Sequence, residues 1–256
     1  MTARLPMYAE LQVTSNFSFL RGASHPHELV LAAAALGHAA IAVTDRNTLA
    51  GVVRAHVAAK QVGIRLVVGA RLDFTDAPSV LCLPTGRAAY GRLAQLLTLG
   101  KRRTVKGQCR LALQDLCDRG EGQMVVALPP AIVDAGFAAH LERLRRRFGQ
   151  SLSLAAQHLY RGDDAARLAD LGALADARRI PLVATNDVLY HGPERRPLQD
   201  VLTCIREGCT IDAAGTRRRA NAERHLKSPA EMARLFRRRP DAIVRGLEIA
   251  AACRFS

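Results

Sequence analysis

Short apolar runs separated by amphipathic stretches set the pattern of this chain. Residues 8–14 alternate apolar and polar positions, the period-two signature of a strand. Residues 26–36 carry apolar side chains at helical spacing, with Pro26 in the first turn and Gly37 just past the end. Residues 39–44 predict a second strand, followed by a helix that Asn47 caps and Gly63 closes. Residues 65–68 predict a buried strand ended by Gly69, and further apolar runs at 80–83, 124–128, 152–155 and 182–185 predict four more. Helical patterns at 87–99, 138–147 and 163–179 lie between them. This alternation predicts an α/β domain with a mostly parallel sheet, open or closed into a barrel. Beyond Pro193 the pattern is helical, over 198–206, 229–239 and 242–253, with an arginine-rich loop at 215–224. In such α/β domains ligands gather at the C-terminal ends of the strands. Those ends fall at 12–21, 44–47, 69–73 and 185–191.

With 256 residues, 49% of them apolar, the chain is long enough for one large domain or two small ones around a substantial core. A disordered tail and a disulfide miniprotein are excluded. The longest apolar stretch, 29–43, is broken by Gly37 and His38 and falls short of the roughly 18 to 20 residues of a membrane span. The opening MTARLPMYAEL has no apolar segment leading to a cleavage site, so a cytoplasmic protein is expected. Six dispersed cysteines with no CxxC pair read as reduced thiols. The net charge of +14 comes from 37 Lys+Arg against 23 Asp+Glu, and nearly all of the cations are arginine. That balance favours a polyanionic partner, usually nucleic acid, although a solvated basic surface has the same composition. The absence of Trp and the presence of only four Tyr and seven Phe leave few stacking platforms for a dedicated single-strand binding module.

No GxxxxGK[ST], GxGxxG or GxSxG motif occurs, which removes the P-loop, the dinucleotide fold and the hydrolase elbow. Asp73, Asp76, Asp115 and Asp118 read as surface or capping carboxylates. His25 and His27 flank Pro26 at a helix start without a third histidine in register, so they read as surface residues rather than metal ligands. His38, His56 and His140 read as isolated surface or packing residues, and His158 and His191 follow strands.

Four segments in one order carry a family resemblance: YAELQVTSNFSFLRGAS, AIAVTDRNTLAGVVRAHVAAKQVGIRLVVGAR, AAYGRLAQLLTLGKRR and PLVATNDVLYHGPERRPLQDVLTCIREG, continued by LKSPAEMARLF. Together they resemble the N-terminal PHP (polymerase and histidinol phosphatase) domain of the bacterial C-family DNA polymerases, over essentially the whole chain. TLGKRR and the opening segment are most similar to the error-prone, damage-inducible, alpha-subunit-like branch. The resemblance implies a distorted (β/α)7 barrel over about 1–192 with extra C-terminal helices over about 193–256, leading to a palm domain.

Active members of that family hold a trinuclear metal cluster through His, Asp and Glu. At the corresponding positions this chain carries Gln12 and Thr14 for the opening HxH, and Arg21 for the acid that follows. Arg46 stands for a histidine beside a retained Asp45, and Arg71 for a glutamate. Asn186 and Asp187 are kept, while Leu189 replaces a histidine and Ala155 replaces the mid-chain strand glutamate. Arginine is a permanent cation without a lone pair to offer and cannot ligate a metal. The resemblance therefore implies a vestigial pocket with no metal, no cofactor and no catalytic residue, whose arginines are expected to pair with Asp45 and Asp187. Two-metal nucleotidyl transfer needs clustered aspartates, and no DxD pair occurs. Polymerase chemistry, with Mg2+, is thus expected in another part of a longer enzyme.

Three functions follow. The first is a scaffold that braces the palm and thumb of an error-prone polymerase used in translesion synthesis and induced mutagenesis. Its partners would be those domains, DNA through the full-length protein, other translesion-synthesis proteins and the sliding clamp, with no membrane. The second is a residual metal-dependent phosphoesterase or 3'-5' exonuclease using Asp45, Asp187, His191 and His158. The third is nonspecific DNA contact through Lys101, Arg102 and Arg103 and through Arg217, Arg218 and Arg219.

Overall fold

Among the described residues eight short strands carry the core, and nearly all their residues are buried. The first, β1 (Ala9–Val13), alternates in sequence like a half-exposed strand but is buried along its whole length, so Glu10 and Gln12 enter the interior as polar groups. In the computed structural model, which describes residues 7–255, β1 pairs in parallel with β2 (Ala40–Val43), and β2 with β3 (Arg65–Val68). Residues 1–6, part of the opening read above for targeting, lie outside the described residues. A second sheet runs in the order β4 (Ala70–Leu72), β5 (Val80–Pro84), β6 (Gln123–Ala127), β7 (Leu152–Ala156), β8 (Leu182–Ala184). Its β4/β5 and β5/β6 pairs are antiparallel, and the remaining two are parallel.

The expected barrel is therefore observed as a mixed α/β fold with two sheets. Among the described residues, isolated bridges join them, Val13 to Val188 on one side and Arg46 to Arg71 on the other. The short β4 is absent from the sequence reading because three residues after a glycine carry too little periodicity to register. It runs close against β5 at Gly69, where a Cβ would stand 2.4 Å from the Leu83 side chain and 3.0 Å from the Cys82 carbonyl oxygen.

Helices cover the outside: α1 (Pro26–Ala35), α2 (Val52–Val62), α3 (Arg87–Arg102), α4 (Leu113–Arg119), α5 (Ala135–Phe148) and α6 (Asp164–Arg178). The seven-residue α4 is a further element not anticipated from the sequence. α2 begins five residues after Asn47, the expected cap. Asn47 instead adopts a left-handed conformation (φ 51°), donates its backbone N–H to the Arg71 carbonyl and accepts the Asp73 N–H on its side-chain oxygen. Its side chain ties two strand ends together rather than starting a helix.

After residue 193 come α7 (Arg196–Glu207), α8 (Pro229–Leu235) and α9 (Pro240–Ala252). α8 stops four residues before the expected end, and it could not run on into α9, because the residue preceding Pro240 is pushed out of the helical region and Arg239 has φ −139° and ψ 61°. α9 folds back across β1 and β8 and buries Ala242, Gly246, Ile249 and Ala250. Among the described residues no helix is long and apolar enough to cross a membrane.

Candidate functional site

The ends of β1, β2 and β8 and the start of β4 meet at one edge of the molecule, with the positions singled out by the sequence close by. After β2, Asp45 is buried and takes three short hydrogen bonds from the loop after β1. Its Oδ1 accepts from the Ser15 N–H (2.8 Å) and the Ser18 hydroxyl (2.7 Å), and its Oδ2 accepts from the Ser15 hydroxyl (2.7 Å). Burial raises its pKa, and the serine donors only partly offset that rise. Among the described residues no arginine pairs with Asp45, which corrects the expected ion pair: the serine-bearing loop supplies its donors.

The two arginines nearest Asp45 in the fold turn elsewhere. Arg46 donates to Asp73 Oδ2 at 2.6 Å and Arg71 Nε to Asp73 Oδ1 at 2.9 Å, while the Ser79 hydroxyl also donates to Asp73. Burial pushes the Asp73 carboxyl up, but Arg71 and Arg46 more than offset it and hold the pKa below the ordinary value. Asp73, read from sequence as a surface or capping residue, is the carboxylate that neutralises this arginine pair. Its position two residues after Arg71 is the signal that could have marked it. Arg21 is half-buried and has no carboxylate partner among the described residues; burial and then Arg46 lower its pKa.

Asp187 is buried in a left-handed conformation (φ 45°) and pairs with Arg224, itself buried. Asp187 Oδ1 also accepts from Gln12 Nε2 at 2.8 Å. Gln12 Oε1 in turn accepts from Gln157 Nε2 (2.8 Å) and the Thr185 hydroxyl (2.9 Å), so its polar atoms are engaged. Burial raises the Asp187 pKa, but Arg224, Arg71, Arg219 and Arg46 together bring it below normal. Thr14 donates its backbone N–H to Val188, and Leu189 packs with Ala23 and Tyr190 in a small apolar cluster. Sequence reading missed Arg224 because it arrives from the loop 37 residues downstream of Asp187.

This donor set does not fit a metal cluster. Among the described residues no group of three His, Cys, Asp or Glu side chains converges. The carboxylate oxygens of Asp45, Asp73 and Asp187 are already committed to serines, guanidinium groups or an amide. The four residues expected for a residual phosphoesterase are not brought together either. His191 contacts Ser24 (2.8 Å) and Glu194 (3.1 Å), and His158 packs edge-on against Tyr160 beside a separate groove lined by Gly172 and Arg239. His25 and His27 stack on each other at the start of α1, where the His25 N–H donates to Glu28.

The basic segments divide. Lys101 lines a shallow cleft with Arg21 and Arg46, whereas Arg102 and Arg103 line a different depression and Arg103 is held bidentately by Asp115. Arg218 and Arg219 line the cleft above Asp187, and Arg217 is exposed outside it.

Glu10, not anticipated as a site residue, sits beneath this edge. It accepts from the Tyr8 hydroxyl (2.7 Å), the Gln12 N–H (2.9 Å) and the Asn186 N–H (2.9 Å), yet burial still raises its pKa from 4.5 to about 7. A carboxyl raised in this way contributes stability that is intact below pH 4.5 and is lost as pH rises through about 7. Removing a donor matters most when the carboxylate is ionised. Tyr8→Phe should therefore cost about 1 kcal/mol more at about pH 8 than at about pH 5, measured by urea unfolding. An equal loss at both pH values would show that Glu10 stays in one protonation state.

A family model described as PHP domain matches residues 10–170. The chain is 57% identical over 247 residues to an error-prone DNA polymerase of Caulobacter vibrioides and 53% identical over 251 residues to error-prone DNA polymerase 1 of Agrobacterium fabrum. These alignments cover 96% and 98% of this chain and 23% of each relative, so the chain spans about a quarter of their length. Among solved structures, an amidohydrolase from Chromobacterium violaceum, with bound sulfate and no metal, is similar in fold. Its TM-score is 0.55 at 19% identity, covering 72% of this chain and 88% of that one.

Proposed function

Because the chain belongs to the PHP domain family and its relatives are error-prone DNA polymerases, we propose that it is a metal-free PHP domain serving as a structural scaffold in such a polymerase. The observation that carries this reading is the replacement of a ligand set by a network of ion pairs. Arg46 and Arg71 share Asp73, and Asp187 is held by Arg224 and Gln12. Guanidinium groups at these positions repel a cation and offer it no donor. The two bridges that join the sheets support the finer reading of the architecture as a distorted (β/α)7 barrel opened into two arcs.

In this proposal the full-length enzyme carries out Mg2+-dependent DNA synthesis in translesion repair and induced mutagenesis, in the cytoplasm, and this segment braces its palm and thumb. The outer face of α7 supports a docking role, since Leu198, Val201 and Ile205 recur at helical spacing and are exposed. The rest of the polymerase is the occupant proposed for that stripe. The sliding clamp and other translesion-synthesis proteins remain proposed partners of the whole enzyme.

Elemental analysis after mild purification tests the metal-free reading. The expected result is no stoichiometric zinc, manganese or iron, and two or more tightly held ions per chain would overturn it.

A further inference from the structure

α7 ends in a turn that sets two cysteines side by side. Gly208 takes a left-handed conformation (φ 62°, ψ 39°) just past the helix. The Cys209 N–H donates back to the Cys204 carbonyl at 3.0 Å, and the Gly208 N–H to the Ile205 carbonyl at 3.4 Å. Nested bonds of this kind make a Schellman turn, in which the side chains at the positions of Cys204 and Cys209 pack on each other. The spacing CxxxxC carries no signal of its own in the sequence; the pair arises because the helix stops between the two residues.

A disulfide needs α-carbons no more than about 7 Å apart. Standard backbone bond lengths on either side of the 3.0 Å contact keep those of Cys204 and Cys209 inside that limit. Both thiols are free, with Cys204 buried and Cys209 partly exposed. Burial, and then the neighbouring Cys209 thiol, raises the Cys204 pKa, and Arg218 only partly offsets the rise. Cys204 is therefore a protonated, shielded thiol, and Cys209 is the one that a solute reaches first. The loop that follows is already held to α7 by polar contacts, since Arg218 stands 3.7 Å from Asp200 and Arg196 donates to the Arg219 carbonyl.

We propose that Cys204 and Cys209 form a peroxide-responsive dithiol, a modification site that closes into a disulfide across the end of α7 and adds a covalent clasp at the root of this loop. Hydrogen peroxide oxidises the Cys209 thiol to a sulfenic acid and is itself reduced to water. The Cys204 sulfur then bonds to the Cys209 sulfur, the S–O bond breaks, and the departing hydroxide leaves with the Cys204 proton as a second water. A dithiol reductant restores both thiols. The site stands on the turn's own geometry and does not depend on the scaffold reading.

Peptide mapping after brief treatment of the folded chain with hydrogen peroxide provides the test, with the remaining thiols alkylated before digestion. Trypsin cuts after Arg206, so the two cysteines fall on separate peptides, 196–206 and 207–217, and only a disulfide holds these together. The joined pair is expected, and it should disappear on addition of dithiothreitol. Cys109 and Cys117, which are also partly exposed, should be recovered alkylated from the same sample.

Two variants separate the roles of the thiols. Cys204→Ala removes the resolving sulfur, so the Cys209 sulfenic acid should take a dimedone label about tenfold or more above the parent. Cys209→Ser removes the sulfur that meets the peroxide, and Cys204 should then stay reduced under the same treatment. Should Cys204→Ala fail to fold, Cys209→Ser, at the more exposed position, and the mapping of the parent still decide the matter. Equal dimedone labelling in the parent and Cys204→Ala, oxidation of Cys204 in Cys209→Ser, or no joined peptides at peroxide levels that already oxidise Cys109 or Cys117 would overturn the proposal.

Discussion

Asp187→Asn is expected to destabilise the protein by about 3 to 5 kcal/mol, the usual cost of stranding one member of a buried ion pair. Arg224 and Asp187 are 6% and 9% exposed, so water cannot replace the lost partner. Asparagine suits the left-handed backbone at this position, which makes the substitution a test of charge rather than of conformation. The double variant Asp187→Asn/Arg224→Met should recover much of the loss, since a pair removed as a whole leaves no orphaned charge. Chemical denaturation of the two single variants and the double closes the cycle. The pH dependence should follow from the lowered Asp187 pKa: its contribution is present above the ordinary value of 3.8 and disappears as pH falls through the lower folded value. A loss below about 1 kcal/mol would mean that the pair is hydrated, as surface pairs are.

Gly22→Ala should be comparably damaging, for steric reasons. A Cβ on Gly22 would lie 2.3 Å from the Ser15 carbonyl oxygen, 2.4 Å from its carbon and 2.5 Å from the Thr14 carbonyl oxygen. All three are backbone atoms, which cannot swing aside as a side-chain end can. The loop after β1 must open, and with it go the Ser15 and Ser18 donors that satisfy the buried Asp45. Overpacking of this kind costs about 1 to 3 kcal/mol, and the lost hydrogen bonds to a buried carboxylate add to it. Denaturation together with limited proteolysis should show both lower stability and new cleavage within residues 15–24. A variant as stable and as protected as the parent would show that the loop is not seated against Thr14 and Ser15.

Both substitutions act on contacts that join distant segments, which marks where sequence reading reached and where it stopped. Strand and helix positions were legible because their signals are local: apolar runs buried in β2, β3 and β5 to β8, Pro26 opening α1, and Gly63 in a left-handed conformation at the end of α2. The failures are also physical. The three-residue β4 needs Gly69, whose missing Cβ lets the backbone pass close to Leu83, and Asn47 left its helix because its side chain found the Asp73 N–H.

The amino-acid sequence by itself determined the chemistry available at the site, because the inability of Arg21, Arg46 and Arg71 to donate a lone pair is a property of each residue wherever it lies. It also determined the family, through motifs in a characteristic order. Which carboxylate meets which arginine was decided only in three dimensions. Ion pairs form between side chains that the fold brings within about 4 Å, and Coulomb attraction at that range outweighs proximity along the chain. Asp73 therefore took Arg46 from 27 residues away as well as its near neighbour Arg71, Arg224 crossed 37 residues to reach Asp187, and two serines took Asp45. Tertiary burial likewise decided the ionisation of Glu10, and the fold gathered seven arginines around one cleft.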